Sequence, residues 1–200
     1  MAAPQLILAS ASPRRRQLLE QIGVHCECAA ADIDESRGVD ESPRDYVARL
    51  AREKAREIAQ RPAADGVAVL AADTTVVLGD EILGKPVDRG DALGMLARLS
   101  GREHEVLTAI CLVHGGDESV QCVRTSVEFN ALSLQMCDAY LATDEPWDKA
   151  GAYAIQGIGA VFVRAIHGSY SNVVGLPLAE TWQLLSSAGI ETALGVANAV

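Results

Sequence analysis

An aspartate interrupts the most apolar run of the chain. Asp73 follows the segment VAVLAA and precedes TTVVL, so we expect it within a buried strand. A carboxylate in such a place raises the free energy of the fold unless it has a partner. Two interpretations stay open. Asp73 caps nearby backbone or pairs with a lysine such as Lys54, or it is a general base or metal ligand whose pKa is set by burial and cations.

A lysine is predicted on the apolar face of a helix. At about 100° per residue, the segment SPRDYVARLAREKAREIAQR places Lys54 in the middle of one stripe. The stripe comprises Val47, Leu50, Ala51 and Ile58, and the arginines opposite it are Arg49, Arg52 and Arg56. An inward lysine is rare unless it is paired or extends past apolar neighbours. Lys54 is therefore either a structural ion pair or a cation presented to a ligand.

Three arginines follow the start of another predicted helix. Ser12 and Pro13 are typical of a helix start, and Arg14 and Arg15 come next, where the helix dipole disfavours positive charge. The free N–H groups of such a turn bind anions. The arginines are thus either solvated and paired with carboxylates, or one side of an anion site. Arg16 receives no role.

Three further segments carry weaker signals. The acidic segment DIDE ends at Glu35, and its carboxylates would suit Mg²⁺ if a phosphate completed the coordination. Lys85 lies in LGKP, just past a predicted hairpin, and Gln156 lies in AIQGIG, where an amide could recognise a base edge. Each also has an ordinary interpretation, as a solvated loop or a surface residue.

Taken together, these residues are the parts that phosphoryl chemistry requires. Cations neutralise phosphate charge, carboxylates hold a metal, and a buried acid can accept a proton from water. The chain has no G-x-x-x-x-G-K-[ST] segment, so it is not a P-loop enzyme.

The elements that position these residues alternate between strands and helices. Predicted strands cover Leu6–Ala9, Glu27–Ala31, Val76–Leu78, Glu81–Leu83, Glu105–Val113, Ser119–Phe129 and a segment around Ala160–Ile166. Predicted helices cover Pro13–Ile22, a segment opening at Ser42, a segment from Asp88 to Gly101, Leu134–Ala142 and a segment from Pro177 to near Gly189. This pattern predicts an α/β fold with a mixed sheet.

Composition limits the class of protein. The 200 residues are 49% apolar, enough for the core of one domain with two lobes, and the net charge of −10 argues against binding a nucleic-acid polymer. The five cysteines are an odd number without C-x-x-C spacing, which predicts reduced thiols and a cytoplasmic location. No apolar run is long enough to span a membrane.

Several long motifs resemble the Maf family of nucleotide pyrophosphatases. They are LASASPRRRQLLEQIG, RLAREKA, AADTTVVLGDEILGKP, LSGREHEVLTAICL and EPWDKAGAYAIQGIGAVFVRAIHGSYSNVVGLPLAET. The resemblance runs from about Leu6 to Leu185, so it covers nearly the whole chain. It implies a single Maf-like domain over residues 1–200, with a peripheral tail from about residue 190.

The resemblance also implies an activity. Maf proteins hydrolyse nucleoside triphosphates between the α and β phosphates with a divalent metal, Mg or Mn. They are cytoplasmic, often homodimeric, and share a mixed twisted sheet of the Maf/inosine-triphosphatase type, with two lobes around a nucleotide cleft. The segments DKAGAYAIQGIG and GSYSNVVGLPL resemble the corresponding sequences of one branch of the family. That branch prefers dTTP and UTP, including modified pyrimidine triphosphates. The alternatives are the 7-methyl-GTP branch and a nucleotide-binding regulator of cell division with little catalysis.

Site residues follow from the same resemblance, motif by motif. Asp73 matches the proton acceptor of the family. Arg14, Thr74 and Gln156 match family positions that select the substrate. Lys54 and Lys85 match the family lysines that bind the phosphates. Glu35 matches a metal-linked carboxylate. Separately from the resemblance, its place next to Arg14 makes Arg15 an assisting residue.

Overall fold

The computed structural model describes residues 6–195. Its strands are β1 (Leu6–Ala9), β2 (Glu27–Cys28), β3 (Ala68–Leu78), β4 (Glu81–Leu83), β5 (Glu103–His114), β6 (Asp117–Phe129) and β7 (Val163–His167). Its α-helices are α1 (Pro13–Gln21), α2 (Pro43–Ala59), α3 (Arg89–Leu99), α4 (Leu134–Tyr140), α5 (Tyr170–Val174) and α6 (Leu178–Ser187). Short 3₁₀ helices cover Pro62–Ala64, Ala150–Ala152 and Ile158–Phe162.

The seven strands form one sheet in the order β2-β1-β3-β5-β6-β7, with β4 paired to β3. Strand β1 runs parallel to β2 and β3, whereas β4 is antiparallel to β3 and β7 is antiparallel to β6. Parallel and antiparallel pairs coexist, so the prediction of an α/β fold with a mixed sheet is confirmed.

The apolar stripe of helix α2 faces the core of the protein. Ser42 caps the helix, because its side chain accepts a hydrogen bond from the Asp45 amide, and Pro43 occupies the first turn. The buried residues of the helix are Val47, Leu50, Ala51, Ala55 and Ile58. Lys54 lies on the same side with only 13% of its side chain exposed, as the helical spacing predicted.

Most predicted elements are found, with differences at their ends. The predicted strand over Glu27–Ala31 is shorter, because only Glu27 and Cys28 pair with β1. The prediction of a strand around Ala160–Ile166 is wrong over its first part. Residues up to Phe162 form a 3₁₀ helix, and β7 begins at Val163. Alternating apolar residues with glycines are compatible with either conformation.

The chain divides into two compact units. Within the described residues, the first unit contains residues 6–73, 108–123 and 175–195, and the second contains residues 74–107 and 124–174. Asp73 is therefore the last residue of a first-unit segment, and Thr74 is the first residue of the second unit.

The C-terminal segment, expected to be peripheral from about residue 190, contacts the first unit in its described part. Ile190 and Thr192 are buried, and the Ala193 amide donates a hydrogen bond of 2.8 Å to the Ile22 carbonyl at the end of α1. Residues 196–200 of that tail lie outside the described residues. No helix among residues 6–195 has the length and apolar character that crossing a bilayer demands.

Gly151 gives a test of the packing in the second unit. Its φ of +71° is costly for other residues, and a Cβ there would lie 3.0 Å from Val76 Cγ2. Gly79, with φ of +64°, has no atom within 4 Å of its Cβ position. We expect Gly79→Ala to lower the free energy of unfolding by about 1–2 kcal/mol through backbone strain alone. Gly151→Ala should cost about 1–3 kcal/mol more, because it also overpacks Val76.

Urea unfolding followed by circular dichroism measures both variants. Equal losses at the two positions would show that the contact with Val76 is not tight.

Candidate active site

Asp73 is a buried carboxylate with a cationic partner. It lies in the middle of β3 and is 9% exposed. Lys54 Nζ donates a hydrogen bond of 2.7 Å to Asp73 Oδ1. Helix α2 supplies the lysine because its apolar stripe packs inward, so the ammonium group reaches the strand. The ion pair that the sequence left as one alternative is therefore present, and it joins two residues predicted to belong to the site.

Lys54 also contacts the acidic loop. The distance from Lys54 Nζ to Glu35 Oε1 is 2.6 Å, so a single ammonium group lies between two carboxylates. The Glu35 side chain is 51% exposed, whereas that of Asp73 is 12% exposed. The cluster thus has a buried end at Asp73 and a solvent-facing end at Glu35. A site with this asymmetry can keep one carboxylate poorly solvated while the other stays accessible.

Helix α2 also holds the loop that carries Glu35. The Tyr46 hydroxyl donates to the Glu35 carbonyl at 2.9 Å, and Arg49 donates to the Ser36 carbonyl at 2.8 Å and to the Glu41 carboxylate at 2.7 Å. Arg49 lowers the pKa of Glu41 to about 2 through this bond. The sequence placed Arg49 on the solvent face of α2, so its role in fixing the acidic loop was missed.

Arg15 is the most enclosed of the three arginines in α1. Its Nε donates to the Gly175 carbonyl at 2.8 Å and its Nη1 donates to Ser10 Oγ at 3.1 Å. Burial lowers the pKa of Arg15, and the nearby negative charge of Asp73 opposes that shift. The guanidinium therefore belongs to the same electrostatic cluster as Asp73. Sequence reasoning gave Arg15 only an assisting part, because a backbone carbonyl acceptor leaves no signature in the sequence.

The other arginines of α1 behave differently. Arg14 is half-buried at the start of the helix, and its positive charge contributes to lowering the pKa of Arg15. Arg16 is exposed and pairs with Glu20 at 2.9 Å, which agrees with giving it no role. Ser12 occupies the N-cap position, but its side chain makes no capping bond.

Burial sets the protonation of Asp73. Removal from water raises its pKa above the ordinary aspartate value, with Lys54 and Arg15 acting in the opposite direction and Glu35 adding to the rise. A raised pKa makes the carboxylate a stronger base than an exposed aspartate. A carboxylate of this kind suits general-base catalysis, in which it accepts a proton from the nucleophile.

The carboxylates of this cluster are compatible with a divalent metal that takes its other ligands from outside the protein. Among residues 6–195 no group of three or more His, Cys, Asp or Glu side chains could hold a metal. Asp73 and Glu35 nevertheless bring two carboxylates to one point. Mg²⁺ commonly binds through one or two carboxylates and takes its remaining ligands from water and substrate phosphates. The residues present fit that mode, and they do not form a closed protein cage.

The remaining predicted residues lie in the second unit. Thr74 follows Asp73 in β3, and because successive strand residues face opposite sides of a sheet, the two side chains diverge. Lys85 and Gln156 are exposed. The amide of Gly151 donates to the carbonyl of Gly84 at 3.0 Å, so the segment that carries Lys85 is tied to the segment leading to Gln156.

His104 is a titratable side chain of the second unit that lies in the core. His104 is 2% exposed and its Nε2 is 2.9 Å from the Tyr153 hydroxyl. Burial lowers the pKa of His104 to about 4. All five cysteines are free thiols, as their number and spacing predicted.

The chain is similar to known proteins over nearly its whole length. The model of the Maf-like protein family matches residues 5–188. A protein of Anaeromyxobacter dehalogenans named dTTP/UTP pyrophosphatase is 56% identical over 191 residues, which cover 94% of this chain and 95% of the relative. A protein of Myxococcus xanthus with the same name is 55% identical over 185 residues, covering 92% of this chain and 93% of the relative.

A third relative, from Shewanella oneidensis, carries that name too and is 53% identical over 191 residues, covering 92% of this chain and 98% of its own. Among solved structures, the Staphylococcus aureus Ham1 protein is similar over 62% of this chain and 71% of that protein, with 16% identity and a TM-score of 0.46. That likeness is too distant to bear on activity. The family match and the relatives, by contrast, cover almost all of the sequence, and the chain belongs to the Maf family.

Proposed function

We propose that this protein is a dTTP/UTP pyrophosphatase, which converts the triphosphate to a nucleoside monophosphate and pyrophosphate and so removes modified pyrimidine nucleotides. Relatives of that name are 53–56% identical over nearly the full length. The observation that carries the proposal is the Asp73–Lys54–Glu35 cluster. It combines a buried base, a cation and an accessible carboxylate at one point.

Cationic side chains bind the triphosphate in this proposal. Arg14 at the start of α1, Lys54 on α2 and Lys85 after β4 neutralise phosphate oxygens. The start of α1 adds the positive end of the helix dipole. The half-buried Arg15 supports this arrangement by keeping a positive charge close to Asp73.

Asp73 is the general base. Its carboxylate accepts a proton from a water molecule as the water oxygen bonds to the α-phosphorus. The bond between that phosphorus and the oxygen bridging to the β-phosphorus breaks, and pyrophosphate leaves with the electron pair. Lys54, 2.7 Å from Asp73, holds the carboxylate in place and favours its ionised form.

Glu35 would hold a divalent cation, Mg²⁺ or Mn²⁺, together with phosphate oxygens. When bound, the cation would supply Lewis-acid activation of the phosphate and neutralise its charge.

Base selection is assigned to Gln156 and Thr74. An amide both donates and accepts hydrogen bonds, which matches the carbonyl and imide edge shared by thymine and uracil. Further parts of the proposal are a single domain over residues 1–200, a homodimer, and a cytoplasmic location, which five free thiols support.

Asp73→Asn tests the base. The amide keeps the size of the side chain but cannot accept the proton, so we expect kcat to fall by about 100-fold or more. Binding of a dTTP analogue with a methylene group between the α and β phosphates should change only a few-fold. Asp65→Asn, at an exposed loop aspartate, is the matched control. Substantial turnover by Asp73→Asn would refute this role of the carboxylate.

The pH dependence tests the electrostatics of the cluster. Because the pKa of Asp73 is raised, kcat/KM should fall with decreasing pH through a value above the ordinary aspartate range. Lys54 opposes that rise, so Lys54→Gln should move the acid limb to still higher pH. Arg52→Gln, which alters an exposed side chain on the outer face of α2, should leave the limb in place. A limb that stays or moves to lower pH in Lys54→Gln would contradict the assignment.

A substrate panel tests the overall function. Phosphate release coupled to an added inorganic pyrophosphatase should be fastest with dTTP and UTP and slow with CTP, dCTP, GTP and 7-methyl-GTP. A chelator should stop the reaction, and added Mg²⁺ or Mn²⁺ should restore it. A preference for 7-methyl-GTP would assign the protein to the 7-methyl-GTP branch of the family. The absence of phosphate release from every triphosphate would refute the enzymatic function.

A further inference from the structure

A single carboxylate gathers the backbone around Gln156. Glu145 Oε2 accepts a hydrogen bond of 2.8 Å from the Ile158 amide, and Oε1 accepts one of 2.9 Å from the Gly159 amide. The Tyr140 hydroxyl donates to Oε1 at 3.0 Å. Burial raises the pKa of Glu145, but these uncharged donors and the positive charge of Lys149 outweigh it and lower the pKa. The side chain is therefore an ionised acceptor at neutral pH.

Tyr140 extends the same network to the other side of Gln156. Its hydroxyl oxygen accepts a hydrogen bond of 3.1 Å from the Ala154 amide, while its proton goes to Glu145. Tyr140 is almost fully buried, and its ring packs against Phe162. The turn is thus fixed two residues before Gln156 and again two and three residues after it, while the Gln156 side chain itself is exposed.

The glycines of the QGIG segment fit this network. A Cβ at Gly157 would lie 2.1 Å from Glu145 Oε2, and a Cβ at Gly159 would lie 2.7 Å from the Ala154 carbonyl oxygen. A side chain at Gly157 would collide with the Glu145 carboxylate, and one at Gly159 would collide with the Ala154 backbone. The sequence around Gln156 is therefore adapted to close contact with Glu145 and Tyr140.

We propose that Glu145, together with Tyr140, is a positioning residue that sets the orientation of Gln156 for base selection. The proposal rests on the dTTP/UTP pyrophosphatase function and on the role of Gln156 given above. The carboxylate does not contact the substrate in this proposal. It fixes the two ends of a short turn, so the Gln156 amide presents its donor and acceptor in one direction.

Glu145→Gln is the informative variant, because it keeps the shape of the side chain. An amide has one acceptor oxygen, so its NH₂ group would face at least one of the backbone or hydroxyl donors. We expect the KM for dTTP to rise and kcat/KM to fall about 10- to 100-fold, with a smaller change in kcat. The preference for dTTP over dCTP should decrease by a similar factor. Tyr140→Phe should act in the same direction more weakly.

A double-mutant cycle separates positioning from general stabilisation. If Glu145 acts through Gln156, the effects of Glu145→Gln and Gln156→Ala on the dTTP/dCTP preference will not add. Once the Gln156 side chain is removed, the loss of Glu145 has no amide left to misorient. Glu128→Gln removes a carboxylate that pairs with Arg164 on the surface of the same unit, and it should leave the preference unchanged. Thermal unfolding of every variant reports stability separately.

The outcomes are distinct. Additive effects, or an equal loss of kcat for all substrates with unchanged preference, would overturn the positioning role. If Glu145→Gln does not fold, Tyr140→Phe replaces it in the same cycle, with the same criterion. A wild-type protein that releases pyrophosphate but does not distinguish pyrimidine bases would refute the assignment of Gln156 and this proposal with it. A wild-type protein with no pyrophosphatase activity would refute the proposed function itself.

Discussion

The first unit of the protein is organised around one ammonium group held between two carboxylates. Lys54 contacts both Asp73 and Glu35, and each of the three side chains comes from a different kind of element: a helix, a strand and a loop. A buried charge is tolerated only when its partners are close and well oriented. The packing of α2 on the sheet and the hydrogen bonds from Tyr46 and Arg49 to the loop therefore serve one requirement. They keep the three charged groups at hydrogen-bonding distance from one another.

This arrangement also explains why local preferences are broken where they are. An inward lysine, an aspartate within an apolar strand and arginines at the start of a helix are each unfavourable alone. Arg15 and Lys54 act together on Asp73 by lowering its pKa against the effect of burial. The same positive charge that would be misplaced in an isolated helix is useful beside a buried acid and an anionic ligand.

Lys54 and Asp73 were easier to single out from the sequence than the contacts that hold the charged cluster together. Lys54 and Asp73 were identifiable because helical spacing and strand burial are periodic, and a charge that breaks a period is conspicuous. Arg15 could not be ranked above Arg14, since its acceptor is the carbonyl of Gly175 and every residue has a carbonyl. The network of Glu145 was equally hidden, because it binds backbone amides. The 3₁₀ helix before β7 was mistaken for strand because five residues are too few to establish a period.

The bond between Arg15 and Gly175 joins residues that are 160 positions apart in the chain. During synthesis the arginine emerges early, whereas its acceptor emerges only after most of the chain has left the ribosome. Contacts of such long range are also among the slowest to form in folding. A truncated or partly synthesised chain therefore has the acid, the lysine and the arginine without the carbonyl that anchors the guanidinium. Full assembly of the charged cluster is in this way tied to completion of the polypeptide.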